Sequence, residues 1–421
     1  MAKMSFLLKN CLIYDRQSRH HLKKVNLLVE KGIIQSIGAK VSGENELDLN
    51  GAILTPGWVD INANFTDPGF EHKEDLESGS VTAQYGGFTD VAVSPTTDPV
   101  LETKGDVEYL KSKSDRPIKL HPIAALSEGI NGENLTEMLD LREAGAVAFS
   151  DGMRPIWNSE LLVKALQYVQ KFGGLIISRP ADAHLSRNAQ MHEGRTSTSL
   201  GMRGEPAISE KLAISNQLEI VRYAGGRLHF SMISTADGLK LIKIAKKDGL
   251  KVTCDVGINH LRFTDRDVSN FDTNYKIEPP YRSEADRKAL IKGVNDGTID
   301  AIVSGHQPQD RESKFLEFDL ASPGVISLQT VFSVLMSLKG ELDLEAAIDR
   351  LTHGARKILG LETATIQEGA QARLAFFDPE KQWTLNKKSN QSKSENSPFW
   401  ETELNGRTLG IVIGNKLELN D

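Results

Sequence analysis

Thr55-Pro56-Gly57-Trp58-Val59-Asp60-Ile61-Asn62-Ala63-Asn64-Phe65, running on through Asp67-Pro68-Gly69 to Gly86-Gly87-Phe88-Thr89, decides the fold. An alternating, β-branched run ends in two small polar residues one apart, Asn62 and Asn64. A strand points residues i and i+2 to the same face, so both side chains leave together at the strand's end. A Pro-Gly turn then leads into a helix. In a barrel of alternating strands and helices, functional groups sit at the carboxyl ends of the strands, which makes this the start of a chemical site.

Working outward, the chain alternates strand and helix, the pattern of parallel strands joined by crossovers. Eight strands are expected: 58–65, 89–95, 118–126, 146–150, 175–179, 227–234, 251–256 and 299–304. Amphipathic runs such as Glu160–Lys171 and Glu284–Asn295 separate them, and helices near 324–338 and 343–358 close the set. The fold class is α/β, a (β/α)8 TIM barrel over residues 55–361. Before it, Phe6–Tyr14, Val25–Glu30, Ile33–Ile37 and Leu47–Leu54 read as short strands, with Lys31-Gly32 as a hairpin signal. They are too few to make a two-faced sheet alone. Pairing with Ala372–Phe377 and Arg407–Leu419 gives a small composite β-sandwich domain from both chain ends, residues 1–54 plus 362–421. The polar stretch Lys387–Ser397 reads as a surface loop. The connection from Ala181 to Glu205 reads either as a mobile active-site loop or as an exposed crossover.

The 421 residues carry 39% hydrophobic and 25% charged side chains, the balance of a soluble globular protein able to bury a sizeable core. A net charge of -7, with no dense basic run, argues against a nucleic-acid partner. Cys11 and Cys254 are far apart with no metal spacing and read as reduced core thiols. Met1–Leu8 holds too short an apolar run for a signal peptide, and no long apolar stretch exists to span a membrane. A cytoplasmic protein is expected.

The opening stretch resembles the dihydroorotase branch of the metal-dependent amidohydrolases. That family begins its barrel with Pro-Gly-x-Ile/Val-Asp-x-His-x-His-x-Arg-x-Pro-Gly, then Lys-Glu, then Gly-Gly-Phe-Thr. Pro56-Gly57, Val59-Asp60, Pro68-Gly69, Lys73-Glu74 and Gly86-Gly87-Phe88-Thr89 stand in matching places. The likeness covers essentially the whole chain. Further shared text includes Gly194-Arg195-Thr196, Asp272-Thr273-Asn274-Tyr275-Lys276, Gly297-Thr298-Ile299-Asp300 and Ser397-Pro398-Phe399.

The resemblance implies a cyclic-amide hydrolase with two zinc ions, which polarise the amide carbonyl and generate hydroxide at neutral pH. Residue by residue, the implied ligands are replaced. Asn62 and Asn64 stand for the first histidine pair, Ser178 for the fifth-strand histidine and Met232 for the sixth-strand one. Gly305 stands for the eighth-strand catalytic acid, and Phe149-Ser150-Asp151-Gly152 is one acid short, leaving Asp151. Among implied substrate contacts, the arginine becomes Thr66, two asparagines become Thr96 and Glu278, and the last histidine becomes Gln309. A substitute metal site would have to use His229, His260, His306 and Asp151, since no HxH or HExxH spacing occurs. Arg154, Arg179, Arg203 and Arg282 are available to offset Asp151 or to bind an anionic ligand.

The expectation is therefore a catalytically inactive relative with no cofactor, in which none of these positions carries catalysis or binds substrate. The resemblance implies a structural or regulatory role in pyrimidine biosynthesis, with aspartate transcarbamoylase as partner, and a homo-oligomer. Two alternatives stand beside it: an active dihydroorotase-type hydrolase with a non-standard site, and a small-molecule sensor using the old pocket.

Overall fold

The computed structural model describes residues 5–43, 45–113 and 118–420, so Met1–Met4 of the expected leaderless start lie outside the described residues. Eight parallel strands form the barrel: β1 (Trp58–Ala63), β2 (Phe88–Val93), β3 (Lys119–Ala124), β4 (Ala148–Phe149), β5 (Ile176–Ser178), β6 (Leu228–Phe230), β7 (Val252–Gly257) and β8 (Ala301–Val303). They pair in chain order. A bridge between Ala63 and His306, with the Asn64 N–H donating to the His306 carbonyl at 2.9 Å, brings β1 against the end of β8 and closes the ring.

Small and branched side chains fill the barrel axis: Val59, Ile61, Ala92, Ile123, Ala148, Ile177, Ala301 and Val303 are all buried. A larger apolar cluster packs the outer strand faces against the helices. Local signals set the helix ends. Leu76–Gly86 starts at Asp75, whose side chain accepts from the Ser78 N–H, and stops at Gly87 in the left-handed region (φ 90°). A side chain at Gly87 would also run into the Phe377 ring, at 2.5 Å from an added Cβ, so the Gly-Gly-Phe-Thr text is a packing requirement. Glu284–Asp296 repeats the scheme with Ser283 and Asp286 at its start and Gly297 at its end.

The second sheet draws on both chain ends, with Ser5–Ile13, Lys24–Glu30, Ile33–Gly38, Glu46–Asp48 and Ile53–Pro56 joined to Arg373–Thr384, Glu403–Ile413 and Lys416–Leu419. The expected single strand Leu47–Leu54 is broken in two by the Asn50-Gly51 turn, where both residues take positive φ. The Ile33–Gln371 bridge returns the far edge to the strand from Arg373, so the sheet curls over one apolar cluster that includes Phe6, Leu8, Cys11 and Phe376.

Barrel and sheet are stapled at the strands' amino ends by Asp90. It accepts from Arg356 at 2.7 Å, from His121 at 2.9 Å and from Arg373, which belongs to the second sheet. Burial alone would raise this carboxyl's pKa. The His121 hydrogen bond and the two guanidinium charges overcome that and hold it far below the usual carboxylate range.

Lys387–Ser397 is only in part the expected surface loop, with Lys387, Lys388, Lys393 and Glu395 exposed. It is a strap laid over the barrel mouth, with Ser392, Ser394, Asn396 and Ser397 buried. Its buried polar side chains are consumed internally: Ser392 donates to Glu74, Ser394 to the Lys73 carbonyl at 2.8 Å, and Asn396 to the Gly324 carbonyl at 2.9 Å. The 181–205 connection is an ordered crossover, in which Met191–His192 pairs with Gly204–Glu205 and Arg195–Leu200 is helical.

Candidate functional site

At the carboxyl ends of the strands, Asn62, Asn64, Met232, Glu278, Gly305 and His306 line one cavity together with Arg179 and Ser231. A register shift between Asp60 and Ala63 bulges β1, so Ile61 and Asn62 both face the cavity although they are adjacent. The cavity volume is about 40 Å³, far below the roughly 300–1,000 Å³ of ordinary small-molecule pockets.

Several replaced positions are hydrogen-bonded to the walls of the mouth. Asn62 Nδ2 donates to Ser231 Oγ at 2.9 Å, and Ser231 Oγ donates to Asp255 Oδ2 at 2.9 Å. Asp255 is fully buried, and it also receives the Met232 N–H at 2.6 Å and His229 Nε2 at 2.9 Å. These acceptor assignments place the His229 proton on Nε2, leaving Nδ1 to accept from the Thr253 hydroxyl at 2.8 Å. Asn64 Nδ2 donates to Thr96 Oγ1 at 3.1 Å, and its own carbonyl accepts the Thr66 N–H at 3.2 Å. The Met232 thioether lies beside Gly257 and Gly305, whose added Cβ atoms would come within 2.9 and 3.0 Å of its methyl.

Several expected site residues point elsewhere. Asp151 does not face the cavity. Its Oδ1 accepts the Leu126 and Ser127 N–H groups at 3.1 and 2.9 Å and its Oδ2 the Ser127 hydroxyl at 2.6 Å, capping the loop after β3. Burial pushes its pKa up, against the pull of those hydrogen bonds. Ser178 is also misassigned. The residues in β5 and just past its end that line the cavity are Ile177 and Arg179, so Ser178 has the wrong parity, and the inward position a strand-end ligand needs belongs to Arg179. Thr66 ties its loop to the Phe70 and Glu74 carbonyls, and Gln309 is held by Lys73 and by the Pro323 carbonyl. Of the four implied substrate positions only Glu278 lines the cavity, 3.3 Å from Arg179.

The three late histidines do not converge. His229 is committed to Asp255 and Thr253 inside the wall. His306 Nδ1 accepts the Ser327 N–H at 3.1 Å, so its Nε2 proton faces Glu74 Oε2 at 3.3 Å. His260 Nε2 donates to the Pro279 carbonyl at 2.9 Å, and burial lowers its pKa to about 4, keeping it neutral. Arg282 binds Glu205 at 2.6 Å and Ser234 at 3.0 Å, and Arg154 donates to the Ile130 carbonyl, so neither serves the mouth.

Sequence reasoning passed over Glu74 and Asp255, buried acids that organise the mouth. Each was visible as a charge, Asp255 inside an apolar strand and Glu74 just ahead of a helix start, which calls for a buried partner.

A closed parallel barrel with a composite sheet and a polar cluster at its carboxyl face is the architecture of amidohydrolase-type proteins. The solved structures most like this chain include L-hydantoinase (dihydropyrimidinase) from Arthrobacter aurescens, with a TM-score of 0.87 at 22% identity over 99% of this chain and 96% of that one. The dihydropyrimidinase from Brevibacillus agri follows at 0.82 and 17%, covering 99% and 95%. These show the fold.

The Dihydro-orotase-like family model matches residues 51–238. Curated relatives named dihydroorotase, from Citrifermentans bemidjiense and Ruminiclostridium cellulolyticum, are 37% and 38% identical, over 97% and 98% of this chain and 98% and 97% of their own lengths. The chain belongs to the dihydroorotase-like family.

The group this family implies is a pair of zinc ions, and the residues present do not fit it. Zinc selects imidazole, thiolate and carboxylate. The cavity offers three amides, three hydroxyls, a thioether, a guanidinium and one carboxylate, Glu278, which is paired with Arg179, and its one imidazole, His306, is bonded at both nitrogens. Among the described residues no three His, Cys, Asp or Glu side chains stand together as a metal set. No helix among them is long and apolar enough to cross a membrane.

Proposed function

We propose that this chain is a dihydroorotase-like protein of pyrimidine biosynthesis that does not open the dihydroorotate ring by the two-zinc route and serves as a structural or regulatory partner, with aspartate transcarbamoylase as the candidate. One observation carries the reading. Of the cavity-facing positions that would hold metal, Asn62 is bonded to Ser231 and Asn64 to Thr96 and the Thr66 N–H, Met232 brings a neutral thioether and Arg179 a positive charge, and the surviving histidines are spent on buried acids and backbone groups. Asn62, Ser231, Asp255 and His229 form a single chain of hydrogen bonds. Such a lattice rigidifies the mouth at the expense of ligand capacity. A homo-oligomer and a cytoplasmic location belong to the same proposal.

The relatives' printed names favour a second reading, an active dihydroorotase-type cyclic amidohydrolase working through a site of different composition. Metal analysis of the purified protein, with interconversion of carbamoyl-aspartate and dihydroorotate assayed in added zinc, separates the two. About two equivalents of zinc with turnover establishes the second reading. No turnover, with co-purification of aspartate transcarbamoylase from the same organism, supports the first.

A further inference from the structure

We propose that the groove between the turn after β8 and the strap is a binding site for an anion that carries a planar ring. The proposal concerns a surface outside the mouth cavity and does not depend on how the mouth is read.

The groove has a volume of about 620 Å³, inside the roughly 300–1,000 Å³ of ordinary small-molecule pockets, with room for one mononucleotide. One wall is the chain from Gln309 to Phe315, which includes the short helix Arg311–Lys314. The facing wall comes from the strap and from Trp400 just past it, and Thr273 and Asn274 complete the lining.

Two aromatic side chains offer contact to a ring. Phe315 is 81% exposed, so packing in the core does not account for it. The Arg311 guanidinium sits 5.8 Å from its ring centroid, which sets an aromatic surface and a cation side by side. Trp400 is half-buried, and its indole N–H has no hydrogen-bond partner among the described residues yet is open to solvent. The side-chain amide of Asn274 is open and unpartnered in the same way. Both groups can therefore reach the polar edge of a ring lying in the groove.

The charges lining the groove divide into committed and free. Asp310 caps the short helix through the Ser313 N–H at 2.6 Å and meets His72 at 3.4 Å. Lys393 is bound to Asp75 at 2.5 Å. Lys314 is buried, its amine held by the Ser322 and Gly324 carbonyls at 3.0 and 3.2 Å. Arg311 and Lys387, both exposed, have no acid partner among the described residues, and Glu395 is the exposed carboxylate left without a cation. Free cations thus outnumber the free acid here, in a chain whose net charge is -7. A guanidinium and an ammonium suit a phosphate or a carboxylate. The aromatic surfaces suit a flat ring, which an inorganic anion lacks.

The test titrates the full chain, treated with EDTA, with AMP, UMP and benzoate, and with adenosine and inorganic phosphate as the separate halves of a nucleotide. Saturation-transfer NMR and calorimetry at low salt are the readouts. At least one ring anion is expected to bind with a Kd of about 0.1–1 mM, and adenosine and phosphate about tenfold more weakly. Arg311→Gln combined with Lys387→Gln weakens that binding about tenfold, and Phe315→Ser about fivefold. Glu395→Gln removes the opposing charge and tightens it about twofold. All four positions are exposed, and an unchanged urea melt verifies that each variant keeps its fold. Binding of a nucleotide identifies a ring phosphate as the ligand, and binding of benzoate alone a ring carboxylate. No saturable binding of any ring anion at about 5 mM overturns the proposal. So does phosphate or adenosine binding as tightly as the ring anion, or binding that the double variant leaves unchanged.

Discussion

His306 offers the sharpest test of whether the surviving polar groups are architecture or chemistry. Replacing it by alanine deletes two buried hydrogen bonds, from the Ser327 N–H at 3.1 Å and to Glu74 at 3.3 Å, at a site with 1% exposure. The orphaned Ser327 N–H costs about 1–3 kcal/mol. Glu74 retains Ser78, Ser392 and the Lys393 N–H, so losing one of its donors costs roughly 1 kcal/mol. The void beside Phe65, whose ring meets the imidazole edge-on at 6.3 Å, adds to both. The terms overlap, and we expect His306→Ala to lower unfolding stability by about 3–4 kcal/mol. Urea melts followed by tryptophan fluorescence, run in EDTA, in plain buffer and in micromolar zinc, measure it. If the histidine is structural, wild type and variant differ by the same amount in all three. A loss below about 1 kcal/mol, or a wild-type stability that zinc raises and the variant's does not, would refute the reasoning.

Other expectations follow from the buried groups. Asp90→Asn strands Arg356 against an uncharged amide and should cost about 3–5 kcal/mol in the same melts. Its depressed carboxyl means that the wild-type contribution is present above the unfolded pKa near 3.8 and is lost as pH falls toward the folded value, so acid titration of stability should flatten in the variant. Asp151 has the opposite sign: with its pKa raised by burial, its contribution is full below the unfolded value and declines as pH rises through the folded one. Asp151→Asn should therefore cost less than about 1 kcal/mol at pH 7, because an amide oxygen can still accept the two N–H groups. Both thiols are buried, Cys11 with its pKa pushed up to about 12 and Cys254 higher still, so a thiol reagent should label neither until the chain is unfolded. Labelling in the native state would contradict the core assignment.

Much of the barrel was legible because its signal is local. Each strand is a short apolar run between turn residues, and six of the eight expected ranges contain the observed strand, while the other two miss it by one residue, at Phe88 and at Gly257. Strand parity at the mouth was not legible, since it depends on hydrogen-bond register. Nothing in Ile176-Ile177-Ser178-Arg179 says which of the last two residues turns inward until β5 is paired with β4 and β6. The bulge that puts Asn62 inward beside Ile61 is equally invisible, because it is a mismatch between two strands. Lys387–Ser397 misled for a different reason. Polar composition usually means solvent, but here it supplies donors to a buried acid more than three hundred residues away, and no local pattern records such a pairing.

That strap has a consequence for the order in which the protein is made. Glu74 is in place once the first crossover has formed, but Ser392 follows it by 318 positions. A chain folding as it is synthesised can therefore complete all eight barrel strands with this carboxylate held by Ser78 and His306 and still lacking its Ser392 and Lys393 donors. The mouth is finished by a segment translated after the whole barrel, so the barrel and the site mature together, when that segment returns to join them.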